Sequence, residues 1–198
     1  WWSKMWGNIG GELYVVGDGG AIAYTPDRGT SWRRIESGTT VNLNDIWGSV
    51  DAPTGKRTIL CAATNILQGG EHKLLSINEG GTVDTVSWGP GKELLSVWFQ
   101  TPGRIYTSGE GLFVRRPDGA WREFLETPRI GTERIRGVAV NDIFAVGSFG
   151  LVLHYNGKSW REYAVAEGAF LRSVAYNSNL MVAVGLIGNR GIAVQMRR

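Results

Sequence analysis

Hydrophobic residues alternate with polar ones in short runs, glycine-rich turns separate the runs, and the same succession recurs about five times along the chain. The pattern predicts a first strand around Met5–Gly7, Leu43–Gly48, Leu94–Phe99, Ile135–Val140 and Leu171–Tyr176. A second is predicted at Glu12–Val16, Thr58–Ala63, Arg104–Thr107, Asp142–Val146 and Leu180–Val184. A third follows at Ala21–Thr25, Lys73–Asn78, Leu112–Arg116, Leu151–Tyr155 and Ile192–Met196. A fourth is predicted at Ser31–Ile35, Asp84–Trp88, Trp121–Leu125 and Trp160–Val165. These runs are rich in Val, Ile, Tyr, Trp and Thr, which suit a pleated, half-buried surface. No stretch sustains a 3.6-residue apolar period between caps, so no helix is expected.

The anchor positions of the first strands, Trp6, Trp47, Trp98, Ala139 and Ala175, are separated by 41, 51, 41 and 36 residues. A four-stranded meander repeated at about 40 residues predicts an all-β fold, a five-bladed β-propeller of antiparallel sheets. One such sheet cannot bury both faces alone, so neighbouring sheets must pack on each other. The expected organisation is a single domain over 1–198, with blades at 1–37, 38–90, 91–129, 130–166 and 167–198. The long interval after Trp47 locates an insertion at Ser49–Arg57, expected to be an exposed loop because of Asp51, Pro53 and Gly55. The fifth unit lacks a fourth strand, and Trp1 lies too close to Trp6 to supply one. Either the last blade has three strands, or a flanking segment or a partner completes it.

Composition narrows the picture only slightly. Of 198 residues, 29 are glycine and nine are tryptophan, without a three-residue period, which fits repeated turns and repeated aromatic packing rather than a collagen or one aromatic site. The formal charge of +3 comes from interspersed signs, so nucleic-acid binding is not expected. Cys61 stands alone in an apolar run and reads as an inert buried thiol. No membrane span is present in the sequence. The chain begins at Trp1, so an export signal removed earlier would place it outside the cytoplasm or in a periplasm.

The turn Thr25-Pro26-Asp27-Arg28-Gly29-Thr30-Ser31-Trp32 has a physical reading of its own. Asp27 accepts backbone hydrogen bonds inside the turn, Gly29 takes the left-handed conformation and Trp32 covers the apolar side. Asp118, Gly119 and Trp121 form a shortened copy, and Asn156, Gly157 and Trp160 form a third with the acid replaced. Ser76-Ile77-Asn78-Glu79-Gly80-Gly81 keeps the turn without the tryptophan. The first of these resembles the Asp-box, or BNR repeat, of sialidase-like propellers. The wider repeat, Val-Gly-x-x-Gly followed by an apolar strand and a Gly-x-x-Trp turn, also resembles the photosystem assembly factor propellers and bacterial repeat proteins of uncharacterised role. The resemblance implies architecture, with the motif as a structural turn away from the functional face.

Turns between second and third strands are the expected place for a ligand. They carry Asp18, Gln68-Gly69-Gly70-Glu71-His72, Glu110, Ser148-Phe149-Gly150 and Gly188-Asn189-Arg190. Asp18, Glu71, His72, Glu110, Phe149, Asn189 and Arg190 are therefore the candidate binding residues for a glycan, peptide or protein partner. Carboxylates and Asn189 suit hydroxyls and amides, Arg190 an anion, and Phe149 a stacking ring. Trp6, Trp47 and Trp98 are expected in the core. The reading is a non-catalytic binding or scaffold propeller, with carbohydrate the first ligand class. The alternative, a secreted glycoside hydrolase, would draw on Glu71, Glu110 and Asp18, two of them about 5–9 Å apart. Sialidases also use an arginine cluster and a tyrosine–glutamate pair; Arg190 is available for the first, and neither the other arginines nor the pair can be assigned here, which counts against sialidase activity. No cofactor is implied. His72 and His154 are the two histidines and neither sits in a metal-ligand spacing, and the glycine pairs lack a nucleotide-loop context.

Overall fold

The computed structural model describes residues 1–51, 54–65 and 70–197. Among these described residues nineteen strands form five antiparallel sheets, each a meander of strands consecutive in sequence. The fold is a five-bladed β-propeller. Blade one contains β1 (Trp2–Gly7), β2 (Leu13–Gly17), β3 (Ile22–Thr25) and β4 (Arg33–Ile35). Blade two contains β5 (Leu43–Val50), β6 (Arg57–Thr64), β7 (His72–Ile77) and β8 (Val83–Val86). Blade three contains β9 (Leu94–Thr101), β10 (Arg104–Gly109), β11 (Gly111–Arg115) and β12 (Trp121–Glu123). Blade four contains β13 (Thr132–Ala139), β14 (Asp142–Gly147), β15 (Leu151–Tyr155) and β16 (Trp160–Ala164). Blade five has three strands, β17 (Phe170–Asn177), β18 (Leu180–Ile187) and β19 (Arg190–Arg197).

The chain divides into two compact units, Trp1–Val97 and Trp98–Arg198. In the first, one face of blade one, with Tyr14, Val16 and Ile22, packs on Leu43, Ile46, Ile59, Cys61 and Leu75 of blade two. In the second, Phe144, Val146 and Val152 of blade four pack on Leu171, Val174, Met181 and Ala183 of blade five. The same face of each earlier blade meets the opposite face of the next, as alternation along each strand requires.

The first strands share a defect. Register shifts by one residue between Trp2 and Lys4, Leu43 and Asp45, Thr132 and Arg134, and Leu171 and Ser173. These bulges bend the strand and strengthen its twist. They also set the repeat alignment: Trp6 opposes Tyr14, Trp47 opposes Leu60, Arg136 opposes Phe144 and Ala175 opposes Val182. Arg136, not Ala139, is thus the fourth-blade equivalent of Trp6.

Three other expectations are corrected. The insertion after Trp47 is not wholly loop, because β5 and β6 pair out to Val50 opposite Arg57. Of the loop residues named for it, Pro53 lies outside the described residues. Two short 3-10 turns do occur, Asp18–Gly20 and Ser148–Gly150, where the left-handed Gly19 and Phe149 tighten the chain. Arg190 belongs to β19, opposite Ile187, and not to the turn.

Tryptophan serves packing between blades. A Cβ on Gly48 would lie 2.6 Å from the Trp6 ring, and one on Gly137 would lie 2.8 Å from the Trp98 ring. Each indole therefore lies on a glycine of the following blade, and only a missing side chain leaves room. Trp98 is 2% exposed, whereas Trp6 is half-buried.

Candidate functional site

Each sheet has two ends. The hairpins from first to second and from third to fourth strand lie at one. The turn from second to third strand lies at the other, with the connection to the next blade.

The first end is built for rigidity. In the turn after β3, Asp27 Oδ1 accepts from the Thr25 hydroxyl at 2.7 Å and from the Ser31 N–H at 2.8 Å. Its Oδ2 accepts from the Ser31 hydroxyl at 2.6 Å. The Ser31 hydroxyl and N–H, with Thr25, hold the Asp27 carboxyl down to about 2. Gly29 closes the turn at φ 92°, against the Trp32 ring. Asp118 accepts from the Ala120 N–H, and Asn156 from the N–H groups of Lys158 and Ser159, with Gly119 and Gly157 at φ 83° and 91°. In blade two the direction differs: the Asn78 amide donates to the Thr82 hydroxyl at 3.0 Å and to the Asp84 carboxylate at 2.8 Å. Trp121 and Trp160 open β12 and β16.

At the same end, acids at the start of the second strand tie neighbouring blades together. Glu12 accepts from Tyr24 of its own blade at 2.8 Å and from the Arg57 guanidinium of the next. Arg57 also lies over the Tyr14 ring, 5.5 Å from its centroid, and burial pushes the Tyr14 phenol up to about 12. At the equivalent position, Asp142 is 2.7 Å from His154 Nε2 and accepts from the Tyr176 hydroxyl of the next blade at 2.9 Å. Sequence reasoning missed both clamps. It also missed Asp45, fully buried in β5, which accepts from the Ser96 hydroxyl and, at 3.1 Å, the Val97 N–H of β9.

The opposite end carries the expected binding residues. In the first unit, a groove of about 480 Å³ runs between blades one and two. Gly19, Arg34, Glu36, Ser37, Gly38, Thr39, Thr40, Glu71 and Lys73 line it. Lys73 Nζ lies 2.9 Å from the Glu71 carboxylate and donates to the Thr39 hydroxyl at 3.2 Å. Arg34 pairs with Glu36 at 3.0 Å. The Gly19 N–H donates to Asn42 Oδ1 at 2.9 Å. A Cβ at Gly19 or Gly38 would meet nothing, so the backbone is open to a ligand at both. Asp18 stands next to this lining, its carboxylate 3.3 Å from the Trp1 nitrogen. His72 turns inward, its Nδ1 3.1 Å from the Thr64 hydroxyl, which accepts from the Leu94 N–H. Gln68 and Gly69 lie outside the described residues.

In the second unit, Glu110 bridges Gly131, whose carbonyl accepts from the Ser148 N–H at 2.9 Å, so the Glu110 and Phe149 turns meet through Gly131. Phe149 is 75% exposed at φ 58°. Asn189 sits with Gly188 in the two-residue turn between β18 and β19. In the first unit, then, Glu71 joins the groove and Asp18 borders it. Glu71 is paired with Lys73 there. Cys61 is fully buried and burial pushes its thiol up, so it is no nucleophile. Among the described residues no group of three or more His, Cys, Asp or Glu side chains is placed to hold a metal, and no helix is long and apolar enough to cross a membrane.

Comparison with known proteins gives the fold a context. No protein-family model matches the sequence, and no curated protein is similar to it. Solved propellers are similar in structure. YCF48 bound to a D1 peptide superposes with a TM-score of 0.66 at 16% identity, over 98% of this chain and 63% of that one. YCF48 from Cyanidioschyzon merolae gives 0.67 at 14%, over 95% and 66%. The Neurospora crassa Pan2 WD40 domain gives 0.68 at 13%, over 98% and 60%. The chain thus spans less than two thirds of the length of these structures, and at such identities the likeness is one of fold.

Proposed function

We propose that the protein is a non-catalytic binding propeller that takes an extended polypeptide segment along the groove between its first two blades. The observation that carries this is the groove's lining. It offers three hydroxyls, both signs of charge and open backbone at Gly19 and Gly38, but no aromatic ring on which a sugar would stack. Directed polar groups of this kind match the alternating amides and side chains of an extended chain. YCF48 bound to a D1 peptide, a structure similar to this chain in fold, holds a peptide, which supports the ligand class. In this reading Glu71 and Lys73 contact the ligand, Asp18 and His72 position the rim, and the Asp27 turn is an Asp-box serving the scaffold.

The test is a paired array, peptides against glycans, with the folded protein. Peptides are expected to bind and glycans to stay silent. Lys73→Ala should then weaken the best peptide by about tenfold, the loss of one charge-assisted hydrogen bond. Glycan binding without peptide binding, or an unchanged affinity in an Arg34→Ala, Lys73→Ala double variant, would overturn the reading.

A further inference from the structure

Among the described residues blade five has no fourth strand, and its third strand, β19, shows the consequence. Phe144 and Val182 hold equivalent places, so Leu153 opposite Ala145 corresponds to Val194 opposite Ala183. In blade four, Leu151, Val152, Leu153 and Tyr155 lie beside β16 and are buried. Their counterparts in blade five are open: Ile192, Val194 and Met196 are half-buried and Ala193 is exposed. β19 is also eight residues long, whereas the outer strands β4, β8, β12 and β16 have three, four, three and five. A long edge with accessible apolar side chains is a template for another strand.

The complete blades define what such a strand carries. Opposite the place of Met196, at Tyr155, Arg115 and Ile77, stand Trp160, Trp121 and Val83. Three residues further on comes a second apolar side chain, Tyr163, Phe124 or Val86, and in blade one Trp32 and Ile35 keep the spacing. The two positions meet across blades. Trp160 lies edge-on to Phe124 of the preceding blade, with centroids 5.6 Å apart, and Val83 packs on the cluster that contains Ile35. The first apolar residue of a fourth strand thus seats against the second one of the blade before it. In blade five the same seat is formed by Met196 and by Tyr163 of blade four, both half-buried against one hydrophobic cluster.

We propose that β19 is a docking edge for an extended strand of a partner polypeptide with an aromatic residue, two variable residues and then an apolar one. The strand runs antiparallel to β19, its aromatic ring opposite Met196 and against Tyr163, its second apolar residue opposite Ala193. Main-chain hydrogen bonds along β19 supply affinity, and the seat at Met196 and Tyr163 selects the ring. The edge is separate from the groove between blades one and two and stands or falls independently of it.

The probe is a labelled, end-capped peptide copying Lys158-Ser159-Trp160-Arg161-Glu162-Tyr163-Ala164-Val165, titrated with the intact chain by fluorescence polarisation. It should bind saturably with a dissociation constant of about 0.1 mM, an ordinary strength for a short strand. The peptide carrying Trp160→Ala should bind about tenfold more weakly, because it forgoes burial of the ring. Alternate residues of an antiparallel strand donate to one neighbour, so of two peptides carrying Arg161→Pro or Glu162→Pro at least one should also lose about tenfold. Hydrogen exchange should show the largest gain in protection within 190–197. In the protein, Met196→Asp, checked for folding by circular dichroism, should weaken binding about tenfold, and the Arg34→Ala, Lys73→Ala double variant should bind the peptide as the parent does. The proposal is overturned if the peptide does not saturate, if Trp160→Ala or both proline peptides bind equally well, or if protection falls outside β19. It is overturned as well if folded Met196→Asp binds unchanged or the groove variant loses the peptide.

Discussion

Glu12 has an ordinary residue's sequence context and an unusual amount of structure resting on it. Arg57 is only 12% exposed in its side chain, and Glu12 is its partner from the neighbouring blade. The Arg57 guanidinium, with Tyr24 and Asn8, holds the Glu12 carboxyl below its usual value of 4.5 against the opposing effect of burial. A depressed folded-state value means that this contribution is fully present above about pH 4.5 and is lost as pH falls through the lower folded value. Glu12→Gln should therefore destabilise the protein at pH 7 by about 2 kcal/mol, since it leaves a largely buried guanidinium without its charge partner. Denaturant titrations at stepped pH should show the difference from the parent shrinking below pH 4. A difference that stays constant with pH would mean that the charge of Glu12 is not what matters. None of this was visible in the sequence, because Glu12 and Arg57 are far apart along the chain and neither has a motif around it.

At the scale of elements, strands and turns were the most legible part. Alternation and glycine punctuation located all nineteen strands to within a few residues, because a sheet with one buried face requires period two. The registers were less visible. A bulge adds a residue without disturbing the composition, so Ala139 was aligned with Trp6 where Arg136 belongs. The pairing of tryptophan with glycine across blades yields a prediction at this scale. Gly137→Ala sets a methyl 2.8 Å from the Trp98 ring and 2.9 Å from the Asp142 carbonyl oxygen, neither of which can give way in a packed core. It should cost about 2–3 kcal/mol in thermal or denaturant unfolding. Gly48→Ala meets first the half-buried Trp6 ring, which can swing toward solvent, and should cost less, about 1 kcal/mol. The reverse order would mean that the indoles do not seat on these glycines.

For the whole molecule, charge and exposure limit what it does. The sequence carries 21 basic and 18 acidic residues, and several of them are spent on the pairs within the fold. With the two signs interspersed, few cations would meet phosphates together, so few counterions would be released and any complex with a nucleic acid should be weak, with a shallow salt dependence. In a gel-shift or polarisation titration, binding to DNA or RNA should already be weak at about 50 mM salt and change little by about 150 mM. Tight binding that survives physiological salt would contradict the polypeptide-binding reading.

The sequence by itself determined the fold class, the number of blades, the missing strand of the last blade and the turns at Asp27, Asp118 and Asn156. Each of these depends on spacing within some forty residues, the range over which hydrophobic period and glycine conformation act. It also placed the candidate binding turns at one end of each sheet, since that follows from strand order alone. Only the tertiary structure decided which of those residues share a groove. It brought Glu71 and Lys73 to Thr39, turned His72 inward to Thr64 and moved Arg190 into a strand. It alone exposed Glu12 and Asp142 as equivalent positions that each tie one blade to the next. Charge pairing acts through space over a few ångströms, and blades that touch are tens of residues apart, so no local pattern announces it.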